Sequence, residues 1–233
     1  MLPRWAGAAL HAVLFDLDGT LLDTVGAITT GLNQALAEQR LGPLPQAQVR
    51  EMIGRGGPIL ITRALLRLGV AMDEAGQAAL LQRYLLHYEQ VEAGVEHSAR
   101  AYPGASEGLA QLHRLGLRLA VVTNKPQRIA LGLLQRLGLM QWIQVVVGGD
   151  SCERRKPDPQ PLQVACAALG TEPGHGLMVG DSINDVLAAR AAGMPVVCVP
   201  YGYNEGHDPR QLPCDAWVDT LAKLPLLLAQ ATR

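Results

Sequence analysis

The sequence predicts an α/β fold: a Rossmann-like parallel sheet with helices on both faces, interrupted after its first strand by an inserted helical cap subdomain. Three observations predict it. Short β-branched apolar runs recur at 11–16, 117–122, 144–147, 177–179 and 195–199 without polar alternation, the pattern of strands covered on both faces. Helical patterns at 105–115, 126–137, 159–169 and 183–192 separate them, and Gly116, Gly138, Gly170 and Gly193 stand where each helix would stop. That cadence of strand, helix, strand implies a parallel sheet. Between 25 and 100 it fails, because helical patterns at 28–40, 58–68 and 73–91 follow one another with no convincing strand. The expected organisation is a core of residues 1–24 plus 101–233 and a helical cap of residues 25–100. The cap leaves directly after the first strand and returns through the loop at 97–104, over the crevice where open α/β sheets bind ligands.

Composition narrows the function. The chain has 233 residues, 48% hydrophobic and 18% charged, which excludes disordered and fibrous classes. Its 20 Lys and Arg nearly cancel its 21 Asp and Glu, so no global positive field exists to hold a nucleic-acid backbone. A small anion held by a few local cations remains open. Cys152, Cys166, Cys198 and Cys214 are scattered without metal or redox spacing and read as free thiols in a reducing, cytoplasmic setting. No apolar run approaches the roughly 18 residues of a membrane span. The apolar stretch at 5–15 imitates a signal sequence but carries His11 and runs unbroken into an acidic motif, so it is expected to be retained as a strand.

The first strand ends Phe15-Asp16-Leu17-Asp18-Gly19-Thr20. Residues two apart in extended chain point the same way, so Asp16 and Asp18 enter one site. Two close carboxylates suit an acid/base partner beside a nucleophile, or a Mg²⁺ site; a strand-to-turn junction is the bland alternative. In the insertion, Arg55 lies among Gly54, Gly56 and Gly57, and either reaches a substrate carboxylate with a bidentate fork or is simply solvated at a turn. The second core strand ends Thr123-Asn124-Lys125-Pro126. Thr123 or Asn124 either caps the helix that follows or, with the backbone amides there, receives phosphate oxygens. The third leads through Gly148-Gly149-Asp150 to Lys156-Pro157-Asp158-Pro159, which fixes a point charge before a helix. The fourth ends Gly180-Asp181-Ser182-Ile183-Asn184-Asp185, where Asp181 reads as a helix N-cap or a ligand and Asp185 as a first-turn acid or a ligand. The carboxyl ends of parallel strands share one edge, so all these groups converge. Together they make sense as a magnesium-assisted phosphoryl-transfer site.

In this order the four segments resemble the four motifs of the haloacid dehalogenase-like phosphohydrolases, over a span from Val13 to at least Gly206. Within that superfamily, the segments at 148–150, 156–159 and 200–206 resemble the bacterial phosphoglycolate phosphatases, and 52–58 leading into Arg63 looks like part of that group's cap. The resemblance implies that Asp16 attacks phosphorus and becomes an aspartyl-phosphate, while Asp18 protonates the departing alkoxide and then activates water. It also implies Mg²⁺ between the Asp16 carboxylate, the Asp18 backbone carbonyl and the Asp181 carboxylate, with Asp185 beside it. Thr123, the Asn124 backbone amide and Lys156 would hold the phosphoryl oxygens.

The substrate expected on this basis is a small phosphorylated metabolite, first 2-phosphoglycolate. The alternatives are pyrophosphate, a β-phosphoglucomutase-like transfer, or a non-enzymatic phospho-receiver or ligand-sensing module. Dehalogenase members lack the second acid, and a phosphonatase would need a cap lysine, absent between 25 and 100. Tyr201, Tyr203, Asn204 and His207 either border the site or serve packing. Trp5, Trp142 and Trp217 receive no role, and His87, His97, His113 and His175 lack ligand spacing.

Overall fold

The computed structural model describes residue 5 and residues 9–94 and 99–231. Its strands are β1 (Ala12–Phe15), β2 (Leu22–Asp23), β3 (Arg100–Ala101), β4 (Arg118–Val122), β5 (Val145–Val147), β6 (Gly176–Gly180), β7 (Val196–Cys198) and β8 (Ala216–Trp217). Six of them form a sheet in the order β5-β4-β1-β6-β7-β8, every pair parallel. The chain builds outward from β1 to β5 on one side, then crosses over to β6 on the other. The topological switch therefore lies at β1, where crevices form outside the strands' carboxyl ends.

The helices are α1 (Val25–Glu38), α2 (Gln46–Arg50), α3 (Gly57–Leu68), α4 (Glu74–Ala93), α5 (Ala105–Arg114), α6 (Gln127–Arg136), α7 (Gln160–Ala168), α8 (Ile183–Ala191) and α9 (Leu224–Ala231). Alternate residues of the central strands enter two separate apolar clusters. Val13 and Phe15 pack with Leu109 of α5, Leu133 of α6 and Leu228 of α9. Ala12 and Leu14 pack on the opposite face with Leu162 of α7 and Val186 of α8. Both faces are dry, which is why these strands read as uninterrupted apolar runs. Gly116, Gly138, Gly170 and Gly193 follow α5 to α8 with left-handed φ of 65–81°, as expected of helix stops.

Helices α1 to α4 all lie between β2 and β3, which pair antiparallel, Leu22 opposite Ala101 and Asp23 opposite Arg100. The excursion thus leaves and returns through one short ladder. Residues 95–98, which include His97 and Ser98 of the expected return loop, lie outside the described residues. So do residues 6–8 of the apolar stretch at 5–15; Trp5 itself is buried in the core. The pairs β2, β3 and β8 escape sequence reading because two residues carry no periodicity, and the five-residue α2 is similarly short. Pro126 and Pro159 sit one position before α6 and α7, as N-caps, rather than inside them.

Leu14 is fully buried in the central strand. Leu14→Ala is expected to destabilise the protein by about 2–5 kcal/mol through lost transfer energy and the cavity left behind. A urea titration checks this: the midpoint falls with an unchanged slope.

Candidate active site

Asp16 follows β1 and donates its backbone N–H to Val179 of β6 at 2.9 Å. Its carboxylate meets those of Asp181 and Asp185, one oxygen of each lying within 4.8 Å of the others, all buried. Lys156, from the loop after β5, places its ammonium 2.8 Å from Asp16 Oδ1 and 2.7 Å from Asp185 Oδ1. Three buried carboxylates against one ammonium leave an excess of negative charge. Burial, together with Asp185 and Asp18, lifts the Asp16 carboxyl to about 7 despite the pull of Lys156. Burial and the neighbouring Asp16 and Asp185 likewise hold Asp181 well above the carboxylate range. Lys156 stays protonated: burial opposes its charge, but Asp16 and Asp185 more than compensate. Clustered hard oxygen donors with surplus negative charge suit a hard divalent cation, which would offset both their burial and their mutual repulsion.

The surrounding bonds fix each acid. Ser182, not Asp181, is the N-cap of α8, and Asp185 completes a capping box with it. Asp185 Oδ2 accepts from Ser182 N at 3.1 Å and Ser182 Oγ at 2.8 Å, while its other oxygen takes Lys156. Asp181 is free of capping and accepts from Thr20 Oγ1 and from the Tyr203 backbone N–H, each at 2.7 Å. Gly19 and Gly202 make room for it. A Cβ on Gly19 would fall 2.3 Å from Asp181 Oδ2, and one on Gly202 would fall 2.1 Å from Asp181 Cβ. Gly19 also has φ of +91°, which a side chain disfavours.

Asp18 shares the strand end but not the carboxylate cluster. Its Oδ2 lies 3.0 Å from the ammonium of Lys125, which stands 4.6 Å over the ring of Tyr88 from α4. Asp16, Asp18, Thr123, Asn124 and Lys125 line one side of a cavity of ≈ 50 Å³; Ile28, Ile53, Leu60, Tyr84 and Tyr88 from the helical excursion line the other. Burial first, then the charges of Asp18 and Glu92, keeps the Tyr88 hydroxyl protonated far above its usual range.

The remaining expected residues fall as follows. Neither Thr123 nor Asn124 caps α6: Asp150 accepts from the Gln127 backbone N–H at 2.7 Å and takes that duty. Thr123 Oγ1 accepts from Lys125 N at 3.2 Å. The Asn124 amide donates to Gly54 O and Lys156 O, both at 2.9 Å, and so ties the excursion to the Lys156 loop. Arg55 is half exposed, outside the cavity lining, with its Nε 2.8 Å from Glu205 Oε1; Arg63 bonds the other Glu205 oxygen. Tyr203 is buried, accepts from the N–H groups of Thr24 and Val25 and donates to Asp23. Tyr201 donates to Thr20 O at 3.0 Å. Asn204 accepts from the Ile183 backbone N–H at 3.2 Å and donates from its side-chain amide to His207 O at 3.2 Å. Sequence reasoning missed Lys125, Thr20, Tyr88 and Glu205. Only Lys125 carried a signal, since it sits directly after two residues already singled out.

A model of the haloacid dehalogenase-like hydrolase family matches residues 13–199. The chain is 43% identical over 224 residues to a phosphoglycolate phosphatase of Nitrosospira multiformis, covering 96% of this chain and 97% of the relative. It is 44% identical over 222 residues to a plasmid-borne phosphoglycolate phosphatase of Cupriavidus necator, covering 94% of each. Among solved structures, that of a predicted phosphoglycolate phosphatase from Haemophilus somnus superposes with a TM-score of 0.87 at 30% identity, covering 94% of this chain and 98% of that one.

The crowding around Asp181 has a measurable consequence. Gly202→Ala drives a methyl into the Asp181 side chain and is expected to cost about 1–3 kcal/mol by overpacking, with weaker divalent-cation binding. Gly42→Ala, where nothing lies within 4 Å of the added carbon, serves as the neutral control. Thermal melts with and without Mg²⁺ read both effects.

Proposed function

The chain belongs to the haloacid dehalogenase-like hydrolases, and from that premise we propose that it is a magnesium-dependent phosphatase of a small phosphorylated acid, hydrolysing 2-phosphoglycolate to glycolate and phosphate. One observation carries the reading: the two carboxylates that end β1 face the same cavity yet have different partners. Asp16 is drawn by Lys156 into the buried acidic cluster, whereas Asp18 is held apart on Lys125. That division suits a nucleophile beside a separate acid/base.

Asp16, Asp181 and Asp185 would hold the Mg²⁺, with the Asp18 carbonyl as a further ligand. Once bound, the ion neutralises charge on the transferring phosphoryl group. The chain's own groups do the rest. Lys156, Thr123 and the backbone N–H of Asn124 orient the phosphoryl oxygens. An Asp16 oxygen forms a bond to phosphorus as the bond to the ester oxygen breaks, and Asp18 gives that oxygen a proton. Asp18 then takes a proton from water, whose oxygen attacks the same phosphorus and releases Asp16 and phosphate.

The excursion of residues 25–100 acts as the cap. Its Ile28, Ile53, Leu60 and Tyr88 close the cavity and exclude water from the aspartyl-phosphate. The largely apolar wall that the excursion contributes disfavours pyrophosphate, whose second phosphoryl group would lie against it. A second acid beside the nucleophile disfavours a stable phospho-receiver. The unpaired cysteines agree with a cytoplasmic setting.

Phosphate release from a panel of phosphorylated metabolites tests the proposal. Turnover of 2-phosphoglycolate is expected to require Mg²⁺ and to vanish on chelation. Asp16→Asn is expected to abolish it, and Asp18→Asn to slow it by about 10²–10⁴-fold. Wild-type turnover by Asp16→Asn would refute the mechanism. Much faster hydrolysis of pyrophosphate or a sugar phosphate would replace the substrate.

A further inference from the structure

We propose that Lys125 is the specificity-determining cation of the site: it receives a second anionic group of the substrate, a carboxylate one carbon from the ester oxygen. The inference deepens the phosphatase reading above and rests on it.

Lys125 is the only Lys or Arg among the described residues that line the cavity. Lys156 is outside that lining, its ammonium held between Asp16 and Asp185. Arg55 and Arg63 are both engaged by Glu205. Lys125 is therefore the cationic side chain within this lining that can meet a negative charge on the leaving group, and against the apolar part of the wall an unpaired carboxylate is costly. Lys125 is suited to the role. Its side chain is 6% exposed, its only ion-pair partner among the described residues is Asp18, and the Tyr88 ring occupies one further side. An ammonium has three N–H donors, so capacity for a substrate carboxylate remains. Stability alone does not account for the lysine, because replacing a buried ion pair by apolar residues of similar size is often neutral or stabilising; its pairing with Asp18 leaves donors that the inferred recognition uses.

The test compares two esters of nearly equal size, 2-phosphoglycolate and 2-hydroxyethyl phosphate, in which a CH₂OH group replaces the carboxylate. The readout is the ratio of their kcat/KM values, so a general loss transmitted through Asp18 cancels. Wild type is expected to prefer 2-phosphoglycolate. Lys125→Met and Lys125→Gln are each expected to lower that preference roughly 30-fold or more, mainly through KM, the scale of truncating one partner of a buried charge pair. Lys125→Arg is expected to retain much of it. If both esters lose activity by the same factor, Lys125 serves only Asp18 and the inference falls, as it does if the preference survives in either neutral variant. Wild-type turnover of both esters without a carboxylate preference would overturn this inference and leave the phosphatase reading standing. Turnover of neither, with Mg²⁺ present, would overturn the phosphatase reading itself.

Discussion

Lys156 bridging Asp16 and Asp185 is the interaction on which the rest of the site depends. Three carboxylates crowded at the carboxyl edge of β1 and β6 repel one another in a medium that screens poorly, and burial disfavours each charge further. A single buried ammonium at 2.7–2.8 Å from two of them lets the cluster persist. The local folding around it serves the same constraint. The capping box assigns the second oxygen of Asp185 to the start of α8. Thr20 and the Tyr203 backbone satisfy both oxygens of Asp181. Glycines at 19 and 202 are required where any side chain would collide with that acid.

The helical excursion is tied to this platform by side-chain donors on backbone carbonyls and by ion pairs. Arg50 donates to the carbonyls of Tyr201 and Gly202, the same loop that supplies the Tyr203 N–H to Asp181. Asn124 binds Gly54 O and Lys156 O with one amide. The exposed pair Arg128–Glu89 adds little, since solvated ion pairs typically contribute less than about 1 kcal/mol. Glu205 differs: its carboxylate is largely buried and collects Arg55, Arg63 and Asn184, which joins α3 and the segment before it to the loop after β7. The ordinary value of its carboxyl is lowered, because those donors outweigh its burial.

Much of this was legible in the sequence because the determining signals are local. Unbroken apolar runs marked strands buried on both faces, four glycines marked helix ends, and the spacing of Asp16 and Asp18 marked a shared site. What escaped depends on partners far apart in the chain. Arg55 among glycines looks like a free fork until Glu205, 150 residues later, is placed against it. Thr20 looks like a turn residue until Asp181 arrives. Asp150 caps α6 from the following strand's loop, so the pattern around Thr123 and Asn124 gives no sign that their capping role is already filled. Two-residue strands carry no period at all.

The two lysines explain why one strand end can host two acids with different work. Lys125 and Lys156 each precede a proline and leave from loops after β4 and β5, on the same side of β1. Each meets one of the two β1 carboxylates: Lys156 takes Asp16 and Lys125 takes Asp18. Without that sorting, two carboxylates two residues apart would behave as a coupled pair, and neither would have a defined role. With it, Asp16 is held in the buried acidic cluster, as the proposed nucleophile requires, and Asp18 is held apart in the cavity lining, as the proposed acid requires. In the proposed mechanism the separation of nucleophile from acid is thus a property of the loops that flank β1 as much as of the motif on β1 itself.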